Sequence, residues 1–570
     1  MPFTLHDTLT DATIPLPERT PGETSLYVCG PTVYGHIHVG NARGPVVFDV
    51  LARHLEGQGR KVVYARNYTD VDDKIIAVAV ENDEAPAAVA QRFIDAYREE
   101  MAALRCREPT VEPRVSETIG EIVALIAALI EKGSAYATPD GDVYYDVSTF
   151  KDYGKLSKRR LDAMSAEHGR GKSGEGKRGE FDFALWKAAK PNEPEGARWP
   201  SPWGEGRPGW HIECSAMTHV HLGDGFDIHG GGPDLKFPHH ENEIAQSEPV
   251  YGAPMARAWM HHGFIEVDIE RSAAFSDEVN ALLPTLRERD PELRKVSKSD
   301  ARRLDEMRAR DPATLTPEDR ALMAVVERKV HFGHWFQLRR LRSRVDGEAV
   351  RLWILGTHYR SPLAFDLEVE GDTVRFPALE QAERRVEYFY DSIQKLAARR
   401  AALGPNAKTP IGPAGAVEVF RKLREDFDRA LDDDLNTMRR ARPLRPDLLE
   451  GERALRPEEA RPAGPRRGGR GPGARHGLAG RGRRRRRGLL REGHRPQGGR
   501  PGALGRRGRR RGEGPHVGPR REGLREGRRD PSVALGEGHR VERWPYGNHL
   551  EGGIVPHPSR APGAGAKRAR

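Results

Sequence analysis

Two rhythms alternate through the first hundred residues. Short apolar runs such as Val62–Tyr64 have the length and β-branched character of buried strands, while Val46–Leu55 and Ala85–Leu104 repeat apolar residues at helical spacing. From Tyr27 to about Arg105 this is the βαβ pattern of a parallel sheet. The pattern then breaks. Between about Glu108 and Trp199 the chain predicts a helix over Ser116–Lys132, a hairpin over Tyr136–Val147 turning at Gly141, and a flexible Gly/Lys-rich loop over Gly169–Gly179. From Ser201 the sheet is expected to resume. Charged, helix-prone stretches follow at Arg271–Arg294 and Asp300–Lys329, to which the sequence assigns no function; solvated decoration and a helical hairpin guiding a neighbouring loop are both open. His331–Leu363 and Phe376–Ala402 read as further helices.

Near Met438, just past Asp432-Asp433-Asp434-Leu435-Asn436-Thr437, the chain turns into a tract of Arg, Gly, Pro and Ala. Residues 441–570 hold about 34 basic and about 13 acidic side chains, roughly +21, against near −11 for the rest, so the whole-chain +10 misleads. No aromatic residue stands between Phe427 and Trp544, and no lysine between Lys422 and Lys567. Such a tract cannot bury enough apolar surface to fold alone, so disorder is expected. Two origins compete: a natural polybasic tail for a phosphate backbone, or a G+C-rich gene read out of frame after about Thr437. A frameshift is favoured, because the break interrupts a helix and supplies no replacement domain.

A length of 570 residues exceeds one hydrophobic core. The three cysteines, Cys29, Cys106 and Cys214, argue against a disulfide framework and for a reducing compartment. Without a long apolar run or a leader-like start, a soluble cytoplasmic protein away from membranes is expected.

The candidate chemistry begins at Cys29-Gly30-Pro31-Thr32-Val33-Tyr34-Gly35-His36-Ile37-His38-Val39-Gly40-Asn41, where an apolar run enters a Gly-broken, His-bearing loop ahead of a helix. A strand entering a helix this way directs backbone N–H groups and a positive helix end at an anion, here a nucleotide phosphate. His38-Val39-Gly40-Asn41 resembles the His-Ile-Gly-His signature of class I aminoacyl-tRNA synthetases, and Lys295-Val296-Ser297-Lys298-Ser299 resembles their Lys-Met-Ser-Lys-Ser loop. Lysines on such a loop suit a triphosphate whose leaving group gains charge. A third constellation comprises Cys29, Cys214, His239 and Glu243. The last two are four residues apart, so on a helix beginning near Pro238 they share one face. Two thiols, an imidazole and a carboxylate suit zinc, which can still accept an exogenous thiolate.

With Asn67-Tyr68-Thr69-Asp70-Val71-Asp72-Asp73-Lys74, Trp203–Trp210 and Phe226-Asp227-Ile228-His229-Gly230-Gly231-Gly232, the chain resembles the cysteinyl-tRNA synthetases from about Cys29 to Asp432. The resemblance implies a Rossmann-like parallel-sheet α/β catalytic domain in two halves (1–107 and 201–330) around a connecting insertion (108–200). A helical stem-contact and truncated anticodon-binding region (331–438) would follow, then the tract 439–570. It implies ATP-dependent activation of L-cysteine and its transfer to tRNA(Cys) by a monomer carrying one zinc ion and using ATP with Mg2+. His38, Asn41, Lys295 and Lys298 would serve catalysis, with Asn41 as a neutral donor in place of the second histidine. Gly40, Thr69, Trp210, Asp227, His229, Gly231, Asp234 and Lys298 would line the amino acid and nucleotide. His240 and Glu241 would support the ligands or face the nucleotide.

An apolar pocket separates near-isosteres by only ~1–3 kcal/mol, whereas a zinc–thiolate bond does more, since hydroxyl and methyl side chains supply no soft, readily deprotonated sulfur, so no editing domain is expected. Two other readings are a ligase joining cysteine to a glucosaminyl-inositol (the mycothiol type) and a catalytically inactive RNA-binding paralogue. The stem-side Leu352–Leu363 helix opposes the first; retention of His38 and both loop lysines opposes the second.

Overall fold

The computed structural model describes residues 2–160, 176–191, 193–267, 275–290, 293, 296, 299–370, 373–403 and 416–437. The tract 439–570, Lys295, Ser297, Lys298, residues 268–274 and most of the Gly169–Gly179 loop lie outside them. An antiparallel pair, β1 (Thr4–Asp7) and β2 (Ala12–Pro15), precedes β3 (Glu23–Val28), α1 (Val39–Gly57) and β4 (Lys61–Arg66). Helices α2 (Asp73–Asn82), α3 (Pro86–Ala103) and α4 (Ile119–Glu131) follow. Then come β5 (Ala135–Ala137), β6 (Val143–Tyr145), β7 (Phe183–Ala188), β8 (Gly206–Pro208), β9 (Phe226–Gly231) and β10 (Ala256–His261).

The catalytic sheet has the order β10-β9-β3-β4, every pair parallel. Along β3 the period of two sends Leu26 and Val28 into one apolar layer with Phe48 and Leu51 of α1. Tyr27 goes to the opposite layer with Ile212, Met217 and Trp259. Both faces are therefore covered, as a parallel sheet requires.

The insertion forms its own antiparallel sheet, β5-β6-β7-β8, backed by α4. Gly141 turns the hairpin at φ +91°, as expected. The resumption of the catalytic sheet at Ser201 is corrected: β8 pairs with β7 in the insertion, and the parallel sheet returns only at β9. A three-residue strand of Gly, Arg and Pro carries no periodicity that would reveal its partner.

Two further expectations change. His331–Leu363 is not one helix but the end of Pro317–Phe336, the short Leu338–Arg342, the helix Gly347–Leu355 and a strand at Leu363. The charged additions are more than decoration. Helices Asp277–Arg289, Ser299–Arg308 and Pro317–Phe336 close around Leu283, Leu286, Leu304, Met307, Ala321, Val325 and Val326, and Lys329 pairs with Asp300 at 2.8 Å, both buried. Between them Val296, the second residue of the Lys295–Ser299 motif, is buried in the core that contains Val39, Phe332 and Phe336.

Candidate active site

The C-terminal end of β3 runs directly into Cys29, while Cys214 sits in the second turn of the helix Trp210–Leu222. His239 precedes the helix Glu241–Tyr251 and Glu243 lies in its first turn. The four are brought together: one donor atom from each lies within 4.8 Å of all the others. Cys214, His239 and Glu243 are buried and Cys29 half-buried. Burial pushes the Cys29 thiol well above its ordinary range, whereas its hydrogen bond to the Cys214 sulfur, 3.8 Å away, brings Cys214 down to about 6 against the effect of burial. Burial disfavours charge on both His239 and Glu243, but their mutual attraction at 2.9 Å outweighs it. His239 rises to about 10 and Glu243, which also faces His229, falls to about 2. Two thiols, a carboxylate and a histidine ring that can exchange its proton for a cation make a soft donor set that fits a divalent metal such as zinc.

Around this set stand aromatic and imidazole rings that fix it. Trp210 stacks on His239 at 4.3 Å and 12° while remaining 40% exposed, so one part of the indole holds the ligand and another faces the cleft. His211 meets His239 through their Nδ1 atoms at 2.9 Å. His240 lies 3.4 Å from the Cys29 sulfur and continues through His261 (2.8 Å) to the Thr8 hydroxyl (2.9 Å). Cys29, His229, His240 and Glu243 form a second overlapping four-donor group.

Three assignments made from the sequence change. His229 does not face the nucleotide: it is fully buried, stacked on Trp259, with Nε2 2.8 Å from Glu243 Oε2, and so orients that carboxylate. Asp227 is not brought to the site. Its carboxylate accepts hydrogen bonds from the Arg19 N–H, the Ser25 N–H and the Ser25 hydroxyl, near the start of β9 and at the opposite end of the sheet from Cys29. Glu241 accepts from the backbone N–H groups of Gly154, Leu156 and Ser157, tying the insertion to the floor instead of facing a nucleotide.

At the start of α1, His38 is the N-cap and Asn41 Oδ1 accepts the His38 N–H at 3.2 Å, leaving the Asn41 amino group as a donor an anion could use. The His38 ring stacks on Phe336 at 5.1 Å, and burial lowers its pKa to about 4, so it is a neutral donor at physiological pH. Gly40 is needed for close approach: a Cβ there would lie 2.8 Å from His38 Nδ1. Gly40→Ala is therefore expected to displace the His38 ring and, with ATP bound at this helix end as the resemblance implies, to raise the KM for ATP by about tenfold with little change in the KM for cysteine; equal changes in both would contradict that placement.

Thr69 is buried, with its hydroxyl donating to Glu213 Oε2 at 3.2 Å. Burial keeps the Glu213 carboxyl well above the usual carboxylate range. Glu213, His211 and His261 were missed as site residues, although the first two lie in the Trp210–Cys214 string. Gly231 ends β9 against His240, where a Cβ would lie 2.8 Å from its ring. Asp234 is exposed in the turn that follows. Lys295 and Lys298 lie outside the described residues.

His38 and His262 are both lowered by burial to about 4. Between about 6.5 and 4 the unfolded chain takes up protons at these positions and the folded chain does not, so stability must fall as pH falls through that window. The melting temperature is expected to decline from pH 6.5 toward 4.5, with a shallower decline for His262→Gln; identical slopes would refute the assignment.

The parallel α/β sheet split by an insertion and its capped helix belong to a class I aminoacyl-tRNA synthetase, the class of the matching family model and relatives. The family model for the class I (C) tRNA synthetase catalytic domain matches residues 16–294. Cysteine–tRNA ligase of Anaeromyxobacter dehalogenans is 44% identical over 442 residues, covering 77% of this chain and 75% of that one. Cysteine–tRNA ligase of Heliobacterium modesticaldum is 43% identical over 419 residues, 73% of each. The chain belongs to the cysteine–tRNA ligase family. Methionyl-tRNA synthetase of Mycobacterium tuberculosis in complex with methionyl-adenylate superposes with a TM-score of 0.46 at 14% identity over 76% of this chain and 83% of that one.

Proposed function

We propose that this chain activates L-cysteine with ATP and transfers it to the terminal adenosine of tRNA(Cys), selecting the amino acid through its thiol. The observation that carries the reading is the convergence of Cys29, Cys214, His239 and Glu243 at the end of β3, one loop away from the helix that bears His38. Zinc held by these four residues would supply a position for the substrate thiolate, a bond that serine and alanine cannot make. The protein's part is placement. Trp210 walls the side-chain pocket, and Thr69 with Glu213 offers polar atoms to the amino-acid end. His38 and Asn41 donate to the phosphates at the N-terminus of α1, aligning the α-phosphorus with the attacking carboxylate. Lys295 and Lys298 are assigned to the β- and γ-phosphates with Mg2+. No general base is required for carboxylate attack, nor for attack of the ribose hydroxyl on the activated anhydride beyond alignment and charge stabilisation. The division into catalytic halves 1–107 and 201–330, insertion 108–200 and stem-side helices 331–438 assigns tRNA to the last of these.

The test is cysteine-dependent ATP–pyrophosphate exchange, with serine as competitor and with zinc removed and restored. Exchange that is selective for cysteine and returns with zinc is expected. Folded, zinc-loaded protein without exchange would overturn the reading.

A further inference from the structure

Immediately after the helix Ala416–Asp432, the segment Asp432–Thr437 lies against the catalytic domain, far along the chain from any signature motif. Asp432 is buried and its Oδ1 lies 2.8 Å from His54 Nε2, with the Gln58 amide donating to it at 2.5 Å; both partners belong to the C-terminal end of α1. Asp434, also buried, accepts from the His6 N–H (2.9 Å), the Tyr359 hydroxyl (2.5 Å) and Arg360 Nε (2.8 Å). The backbone joins in: Asp433 bridges to Thr4 of β1, and the Thr437 hydroxyl donates to the Leu355 carbonyl at 2.7 Å. Leu431 and Leu435 enter the layer that holds Phe48, Leu51 and Leu55 of α1. Asp434 and Leu435 have φ values of +52° and +49°. Two successive non-glycine residues in the left-handed region persist only where their surroundings over-determine them.

Both anchor points lead to the reaction site. His54 stands on the helix whose opposite end is His38–Asn41, and in the second turn from that end buried Arg43 donates to the carbonyls of Phe264, His358 and Ser361. The loop His358–Ser361 is thus gripped by α1 on one side and by Asp434 on the other. We propose that Asp432 and Asp434 are positioning residues that lock the signature helix to the helical region, so that the phosphate-binding end of α1 is set by where that region sits. Neither touches substrate. The inference rests on the adenylation reading above for its kinetic consequence, but not for its structural one.

Asp432→Asn, His54→Gln and the double variant, each in the full chain, test it. In variants that remain folded by circular dichroism, kcat for cysteine-dependent exchange is expected to fall about tenfold, with the KM for cysteine within about twofold of the parent. The double variant should be no worse than either single one, because both remove the same link. Amide hydrogen exchange in α1 should accelerate while that in α4 stays unchanged, a selectivity that general destabilisation would not produce. Unaltered α1 protection in folded Asp432→Asn protein overturns the proposal whatever the activity, and so do additive losses. If the parent shows no exchange activity, the functional reading fails, and α1 protection still decides this one.

Discussion

Replacing Cys214 by serine is expected to lower cysteine-dependent ATP–pyrophosphate exchange by about 10²–10³-fold and to abolish stoichiometric zinc binding. Serine nearly matches cysteine in volume, so the buried first half of the helix Trp210–Leu222 keeps its packing and the fold survives. What disappears is the acidic sulfur: Cys214 is the thiol drawn down to about 6 by its Cys29 partner, whereas a serine hydroxyl stays protonated and hard. His239 and Glu243 would remain paired to each other, an arrangement that holds a proton instead of a metal. Cys106→Ser provides the control. That thiol is buried beside Arg351 in a different apolar cluster, and burial pushes its pKa up to about 11. Its replacement should cost some stability and leave exchange per folded molecule and zinc content intact. Equal losses in both variants would show that the effect is general to buried thiols, and full exchange by Cys214→Ser protein would remove the metal from the selection mechanism.

The chemistry of this site was legible where it depends on spacing along one element. His239 and Glu243 meet because four residues on a helix span one turn, and Gly40 and His38 are neighbours across the start of α1. Convergence of Cys29 and Cys214 rested on the resemblance, since no local pattern says that the end of β3 meets the second turn of the helix Trp210–Leu222. Long-range register explains the errors. His229 and Asp227 are two residues apart on β9, so their side chains share a face. Sequence cannot say that Asp227 falls opposite Ser25 while His229 falls beneath Glu243. In the charged additions, the apolar positions Leu283/Leu286, Leu304/Met307 and Ala321/Val325 recur at helical spacing, but lie among so many charges that their shared core was obscured. That core joins helices that precede and follow Val296, which is itself buried in the neighbouring core with Phe332 and Phe336.

Restoring a continuous reading frame after Thr437 is expected to raise the kcat/KM for tRNA charging by at least about a hundredfold, roughly 3 kcal/mol of recognition, while leaving cysteine-dependent exchange within about twofold. The helices Pro377–Ala402 and Ala416–Asp432 expose Tyr388, Phe389, Tyr390, Ile393, Leu396, Phe420 and Phe427. Exposed aromatic and branched side chains on two amphipathic helices are the kind of surface that further apolar helices would cover. The Arg/Gly/Pro-rich tract offers no aromatic residue before Trp544, and about a quarter of each relative's length lies outside the matched part. Exchange should be spared because the sulfur floor and the signature helix are complete within the described residues, and Asp432–Thr437, the clamp on α1, precedes the break. Resequencing decides the first step: an insertion or deletion near codon 437 is expected, and an intact frame would sink the idea. Were the printed chain to charge tRNA at the restored rate, the tract would be a natural polybasic tail, and tRNA affinity should then fall steeply with salt as phosphate counterions are released.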